Sequence, residues 1–195
     1  MKKIPTLFIR DFKKHEIAGI RDQVSKPELK VVLEGECIPT LKMDGSCCAF
    51  FDNKFWKRRD IKKNKKGIYK NVPLGCIACC DPDPKTNHWP HWEPVREDDP
   101  SAKWFLEAKK NFLEGGGILE EGTYEAIGPH FQANHYKLKK DTLYRHGKDI
   151  LDLKEFSFEG IKNFLKENEI EGIVFWKDGE PLCKIKRTDF GFPWK

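Results

Sequence analysis

The sequence predicts an α+β protein that is built mainly on antiparallel sheets with helices flanking them. Its short β-prone runs are joined by turn signals such as residues 177–180, whose Asp-Gly pair suits a tight hairpin turn. Only residues 102–114 and 158–168 show the spacing of amphipathic helices. Because these helices interrupt the strands irregularly, an antiparallel core is favoured over a parallel one.

The predicted strands cover residues 47–51, 55–58, 118–127, 170–176 and 182–187. A turn at residues 52–54 joins the first two, so Arg58 lies on the second arm of a hairpin. Gly122 marks either a bulge or a tighter bend in the third. The last two strands form a hairpin that brings two charged clusters side by side.

Each predicted helix has a candidate cap. Ser101 is the expected N-cap of the first helix, and Gly115 is its expected stop. Ser157 is the expected N-cap of the second helix.

Length and composition indicate one compact domain over residues 1–195. The chain is 38% apolar and 34% charged, with 14 Phe and 6 Trp, a mixture that excludes disorder and a membrane protein. It contains neither an apolar signal core nor a run near the roughly 20 apolar residues that span a bilayer. With seven cysteines that fit no disulfide framework, we expect reduced thiols and a cytoplasmic or nuclear protein.

Residues 54–70 form a basic segment with seven Lys and two Arg against one acid, a local charge of +8 within a net charge of +5. The interleaved Phe55, Trp56 and Tyr69 add the aromatic surface on which nucleic acid bases stack. The segment therefore indicates nucleic acid binding, and a non-catalytic nucleic-acid-binding module is one interpretation of the chain. A solvated basic loop is the alternative.

Five short motifs follow one another along the chain: Lys42-Met43-Asp44-Gly45, Lys57-Arg58-Arg59, Tyr124-Glu125, Glu171-Gly172-Ile173-Val174 and Lys184-Ile185-Lys186. Their order resembles the covalent nucleotidyltransferase superfamily of ATP-dependent DNA ligases, RNA ligases and capping enzymes. The resemblance runs from about residue 38 to 187. Within that superfamily, the motifs are most similar to a family of 5′-to-3′ RNA ligases also found in animals.

The resemblance implies an adenylyltransferase domain that joins RNA 5′-phosphate and 3′-hydroxyl ends with ATP and Mg²⁺, for which Mn²⁺ could substitute. Lys42 is then the residue that accepts AMP, and Glu171 the metal ligand. The remaining implied site residues act on the nucleotide. Asp44 supports its geometry, and Glu125 holds the ribose hydroxyls. Arg58 contacts the ribose or the phosphate, and Lys184 and Lys186 contact the phosphates. Protein partners leave no trace in the sequence.

A lysine nucleophile must be deprotonated, which requires that neighbouring cations or desolvation lower its pKa. We expect Lys184 and Lys186 to supply those cations. If their hairpin lies across the site from Lys42, they also screen the phosphate charge that repels a nucleophile.

Three alternatives remain open at this level. Arg59 is nearly as good a candidate as Arg58. A DNA ligase or a guanylyltransferase-like capping enzyme is less favoured, because only nine residues follow Lys186 and we expect no C-terminal oligonucleotide-binding barrel. A zinc site is the third alternative, from the donors Cys76, Cys79, His88 and His91, although a packed aromatic loop is favoured there.

Overall fold

The computed structural model describes residues 3–14, 16–84 and 86–194. Its strands are β1 Phe8–Lys13, β2 Glu16–Val24, β3 Ile38–Lys42, β4 Ser46–Phe51, β5 Lys54–Lys62, β6 Ile77–Ala78, β7 His88–Pro94, β8 Gly122–Ile127, β9 Thr142–Arg145, β10 Gly172–Lys177 and β11 Glu180–Lys186. Its α-helices are α1 Lys30–Leu33, α2 Lys103–Glu114 and α3 Phe158–Glu167. No helix in this part of the chain is long and apolar enough to cross a membrane.

The chain divides into two compact units. Unit I contains Asp44–Arg145 together with the N-terminal Lys3, and unit II contains Ile4–Met43 and residues 146–194. All strand pairs within the three sheets are antiparallel, so the predicted α+β class with mainly antiparallel sheets is confirmed. The described strands do not close into a barrel.

Unit I is built on a six-stranded sheet with the strand order β6-β7-β5-β4-β8-β9. One sheet face packs with α2 around an apolar core of Cys48, Phe55, Ala108, Tyr124, Ala126, Phe131 and Leu143. The opposite face carries a smaller cluster of Ala49, Trp56 and Trp92. Alternating side chains therefore give this sheet two different surfaces.

Unit II combines a three-stranded sheet, β11-β10-β3, with the β1-β2 hairpin and two helices. Its core contains Leu7, Phe8, Leu29, Val32, Cys37, Leu153, Ile161, Leu165, Ile173, Phe175, Cys183 and Ile185. Four of these core residues alternate along β10 and β11, which leaves the other face of that sheet free for polar side chains. The outer edge of β11 is covered, since Leu7 N donates to Lys184 O at 2.8 Å.

Several local predictions are confirmed. Residues 177–180 form the turn between β10 and β11, and β4 and β5 form the hairpin that carries Arg58. Ser157 caps α3, because its hydroxyl accepts from Gly160 N at 3.0 Å. None of the seven cysteines, all of which lie in the described ranges, forms a disulfide.

Two local predictions are wrong. Ser101 does not cap α2, because a short 3₁₀ turn precedes the helix and Asp99 accepts the hydrogen bond from Ser101 N at 2.9 Å. The strand predicted from residue 118 begins only at Gly122, whose φ of +148° marks the bend into β8.

Candidate functional site

The three-stranded sheet of unit II presents three lysines on one face. Lys42 at the end of β3 and Lys186 at the end of β11 both pair with Gly172, which lies between them on β10. Two residues further along β10, Val174 pairs with Lys184. Because paired residues and residues two apart share a sheet face, all three lysines lie on the same face.

Glu171 supplies the counter-charge for this face. Its side chain is 2% exposed, and its two carboxylate oxygens each lie 2.5 Å from an ammonium nitrogen, that of Lys42 and that of Lys186. Lys42 Nζ also donates to the carbonyl oxygen of Met43 at 3.3 Å. A buried carboxylate thus joins two motifs that lie at opposite ends of the sequence.

Gly172 sets the close approach of the strands on either side of that carboxylate. A Cβ atom at this position would lie 2.2 Å from the carbonyl oxygen of Ile185. No other residue type fits without separation of β10 from β11, which would move Lys186 away from Glu171.

The pKa of Lys184 is lower than the usual value for a lysine. Burial is the largest cause that lowers its pKa to about 8, and the charges of Lys42, Lys186 and Arg10 lower it further, while Glu171 opposes them. The described residues place no carboxylate within ion-pair distance of it. Lys184 is therefore a half-buried cation with no carboxylate paired to it, a condition that favours the binding of an anionic ligand.

Asp189 holds the end of β11 in place through a hydrogen bond and an ion pair. Its buried carboxylate accepts from Lys186 N at 2.9 Å and lies 2.7 Å from Nη2 of Arg10 on β1. This contact fixes the backbone of Lys186 against the β1-β2 hairpin. Arg10 and Asp189 are positioning groups that the sequence did not reveal, because 179 residues separate them. The one local signal is that Asp189 stands three residues after Lys186, the spacing of a helix-capping contact.

A second group of predicted residues lies in unit I. Cys47 on β4 pairs with Glu125 on β8, and the register Cys48↔Lys57 places Arg58 on its other side. Arg58 and Glu125 therefore flank Cys47 on one sheet face. Burial, aided by the Glu125 charge, raises the pKa of the Cys47 thiol to about 12, so this cysteine is protonated near pH 7 and is not a nucleophile.

The alternation along β5 separates Arg58 from Arg59. Arg59 points to the opposite face, where its Nη1 lies 2.8 Å from Oε1 of Glu93. Lys57 is buried on that same face, with its Nζ 2.8 Å from Oδ2 of Asp99. Of the two arginines, only Arg58 lies on the same sheet face as Glu125. This placement favours Arg58 over Arg59 as the basic residue of this group.

Asp44 and Gly45 precede β4. Asp44 N donates to the hydroxyl of Tyr136 at 2.6 Å, and Oδ2 of Asp44 lies 3.4 Å from Nε2 of His135. A Cβ at Gly45 would lie 2.3 Å from the carbonyl oxygen of Ala126, so this glycine is required by the close approach of backbone to β8. Neither partner of Asp44 was predicted from the sequence.

The zinc alternative has no support in the described residues. No three of the four candidate donors Cys76, Cys79, His88 and His91 bring ligand atoms within 4.8 Å of one another. His91 Nδ1 instead lies 2.9 Å from the carbonyl oxygen of Trp89, and His88 Nδ1 lies 3.4 Å from a carboxylate oxygen of Asp60. The two histidines lie on β7 and have these other partners.

Comparison with known proteins gives one informative similarity. No protein-family model matches the sequence. Among curated proteins, the chain is similar to RNA ligase 1 from Pongo abelii, with 25% identity over 221 aligned residues. The aligned region covers 80% of this chain and 68% of that protein, so the similarity extends over most of both sequences.

Proposed function

We propose that the protein is an ATP-dependent RNA ligase that joins 5′-phosphate and 3′-hydroxyl ends through a lysyl-AMP intermediate and an AMP-capped RNA end. The observation that carries this proposal is the buried Glu171 carboxylate held between Lys42 and Lys186, with Lys184 on the same sheet face. Similarity to a protein named RNA ligase 1 supports RNA as the substrate.

Lys42 is the nucleophile in this proposal. Its ion pair with Glu171 opens, the ammonium loses a proton to solvent, and the amine attacks the α-phosphorus of ATP. A phosphorus–nitrogen bond forms while the bond to pyrophosphate breaks. Lys184 and Lys186 neutralise phosphate oxygens, whose negative charge otherwise repels the incoming amine.

Glu171 is the residue that would hold a divalent cation, Mg²⁺ or Mn²⁺. Mg²⁺ is typically bound by one or two carboxylates together with substrate phosphates, and a single buried carboxylate beside a face of phosphate-binding lysines fits that pattern. When bound, the ion supplies further neutralisation of the phosphate charge.

The residues of unit I bind the nucleotide in the proposal, with the roles that the family resemblance gives them. Glu125 takes the ribose hydroxyls, Arg58 the ribose or phosphate, and Asp44 supports the geometry of the nucleotide. The placement of Arg58 and Glu125 on either side of Cys47 supports their action on one ligand. The proposal treats residues 1–195 as one nucleotidyltransferase domain.

Two further transfers complete the reaction. An oxygen of the RNA 5′-phosphate attacks the AMP phosphorus, the bond to Lys42 breaks, and the lysine regains its proton. The 3′-hydroxyl of the second RNA end then attacks the capped 5′-phosphorus, its proton passes to solvent, and AMP leaves.

A sealing assay with defined ends tests the proposal. The protein is incubated with ATP, Mg²⁺ and paired RNA ends that carry a 5′-phosphate and a 3′-hydroxyl, beside DNA ends of the same sequence. We expect joined RNA, and no joining when ATP is omitted or a chelator is added. Preferential joining of DNA would favour a DNA ligase, and covalent labelling by GTP in place of ATP would favour a capping enzyme. Either result contradicts the proposal.

A further inference from the structure

The basic segment of the sequence divides into two structurally different parts. In its first part Lys57 and Arg59 are neutralised by acids of unit I, and Arg58 Nε lies 3.4 Å from a carboxylate oxygen of Asp60. The two aromatic side chains of this part, Phe55 and Trp56, are buried, with 5% and 3% exposed. These two rings therefore offer no exposed stacking surface, and most of the exposed lysines of the segment lie in its second part.

The second part, residues 62–70, is an ordered hairpin. Its arms pair through Lys70 N, which donates to Lys62 O at 3.3 Å. At the tip, Asn64 Oδ1 accepts from Lys66 N and Ile68 N at 2.9 and 3.1 Å. Gly67 has a φ of +77°, which suits it to this turn. The hairpin thus presents its side chains from a defined backbone.

The hairpin carries an uncompensated positive charge. It contains five exposed lysines and no acid: Lys62, Lys63, Lys65, Lys66 and Lys70. None of them forms an ion pair with any residue in the described ranges. The surface is therefore free to bind a polyanion, and it is electrostatically complementary to one.

Aromatic rings stand beside these lysines. Nζ of Lys63 lies 5.0 Å from the centroid of the Tyr69 ring, and that ring makes an edge-to-face contact with Trp89 at 5.4 Å. Both rings are partly exposed. Positive charge with adjoining aromatic faces is the combination that holds single-stranded nucleic acid, through phosphate neutralisation and base stacking.

We propose that the hairpin at residues 62–70 anchors an RNA strand through its phosphates, an inference that rests on the proposed ligase function. Lysines are point charges that contact phosphate without base-edge readout, so the anchor is independent of RNA sequence. It extends from the end of β5, and Arg58 lies four residues earlier on that strand, roughly 13 Å away at the rise of a β-strand. The hairpin therefore binds RNA outside the nucleotide-binding group.

The test replaces Lys63, Lys65 and Lys66 together with alanine and measures binding of a 5′-phosphorylated single-stranded RNA by fluorescence anisotropy over a series of salt concentrations. We expect about 10–100-fold weaker binding near 0.1 M salt and a salt slope that is smaller by about 2, because each lost phosphate contact on a single strand contributes about 0.7. The matched control replaces Lys26, Lys154 and Lys166, three exposed lysines of unit II, and should bind RNA as the unaltered protein does.

Labelling of the protein by ATP distinguishes this inference from the proposed function, because transfer of AMP to the enzyme needs no RNA. Unchanged labelling with weakened RNA binding supports both. If the unaltered protein takes no AMP but its RNA binding falls in the hairpin variant, the ligase proposal fails and the anchor stands. RNA binding that is equal in the hairpin and control variants, or hairpin-dependent binding to anionic lipid vesicles and not to RNA, overturns the anchor.

Discussion

At the scale of single residues, charge on the lysine face of unit II governs what this surface can do. Two of the three ammonium groups pair with one buried carboxylate, so the face carries an excess of two positive charges when all four groups are ionised. An anion that enters this face satisfies charge that the protein leaves unbalanced. This excess is the physical reason for assigning the face to the phosphates of ATP.

The proposed binding of ATP to this face is expected to depend on pH through Lys184. Its pKa is about 8 in the free protein, so it is charged below that pH and loses its charge as the pH rises through it. Bound phosphates favour the charged form, so affinity is full below about pH 8 and falls above it, by at most about tenfold per pH unit. We expect this fall when a methylene-bridged ATP analogue that cannot transfer AMP is titrated by calorimetry between pH 7 and 9.5.

The matched variant for that titration is Lys184→Arg, whose guanidinium keeps its charge over the whole range. Its affinity should vary less with pH than that of the unaltered protein. An equally steep fall in both proteins would show that another group causes the dependence.

Glu171 should be essential for AMP transfer and important for stability. Glu171→Gln leaves two ammonium groups without their shared counter-charge, and we expect unfolding in urea to show a loss of about 1–3 kcal/mol. Labelling by radioactive ATP should fall roughly 10²–10³-fold, the effect of removing one preorganised charge from a reaction site. Glu169→Gln, at an exposed position two residues earlier, is the control. A folded Glu171→Gln variant with near-normal labelling would remove this carboxylate from the mechanism.

At the scale of the elements, the sheet register places the lysines. Lys42, Gly172 and Lys186 are paired neighbours across β3, β10 and β11. The close approach of β10 to β11 is possible because Gly172 has no side chain. A shift of one residue would turn each lysine of the shifted strand toward the apolar core. The register is therefore as important to the proposed chemistry as the lysines themselves.

Gly172→Ala tests that dependence. Its Cβ would meet backbone at 2.2 Å, and we expect a destabilisation of about 1–3 kcal/mol, the usual cost of overpacking, together with loss of AMP labelling. Gly19→Ala, in β2 with no atom within 4 Å of its Cβ, should be neutral or slightly stabilising. Chemical denaturation of both variants provides the comparison, and equal stability would contradict the role assigned to Gly172.

The elements also show where sequence reasoning succeeds. The β10-β11 hairpin and α3 have strong local signals, an Asp-Gly turn and a serine cap, and both were predicted nearly to their ends. Six strands, β1, β2, β3, β6, β7 and β9, were not predicted. In two of them the local chemistry argues against a strand, because β3 contains Pro39 and β7 contains Pro90 and Pro94. Their pairing is decided by neighbouring strands that are distant in sequence, which no local pattern reveals.

At the scale of the whole molecule, the order of the motifs predicted more than their separate chemistry. The sequence named Lys42, Glu171, Lys184 and Lys186, and the structure brings all four together in unit II. It left the choice between Arg58 and Arg59 open, because only strand alternation in unit I distinguishes their faces. The brace from Asp189 to Arg10 could not be predicted, since it joins opposite ends of the chain.

The proposed mechanism requires that the amine of Lys42 carry AMP. The most direct measurement incubates the protein with ATP and Mg²⁺, digests it and locates the adenylyl group by mass spectrometry. We predict an acid-labile AMP on Lys42 and no adduct in Lys42→Arg, while Lys177→Arg, at a lysine paired with Glu36 on the same unit, is labelled normally. An adduct on a different residue, or undiminished labelling of Lys42→Arg, would contradict the mechanism.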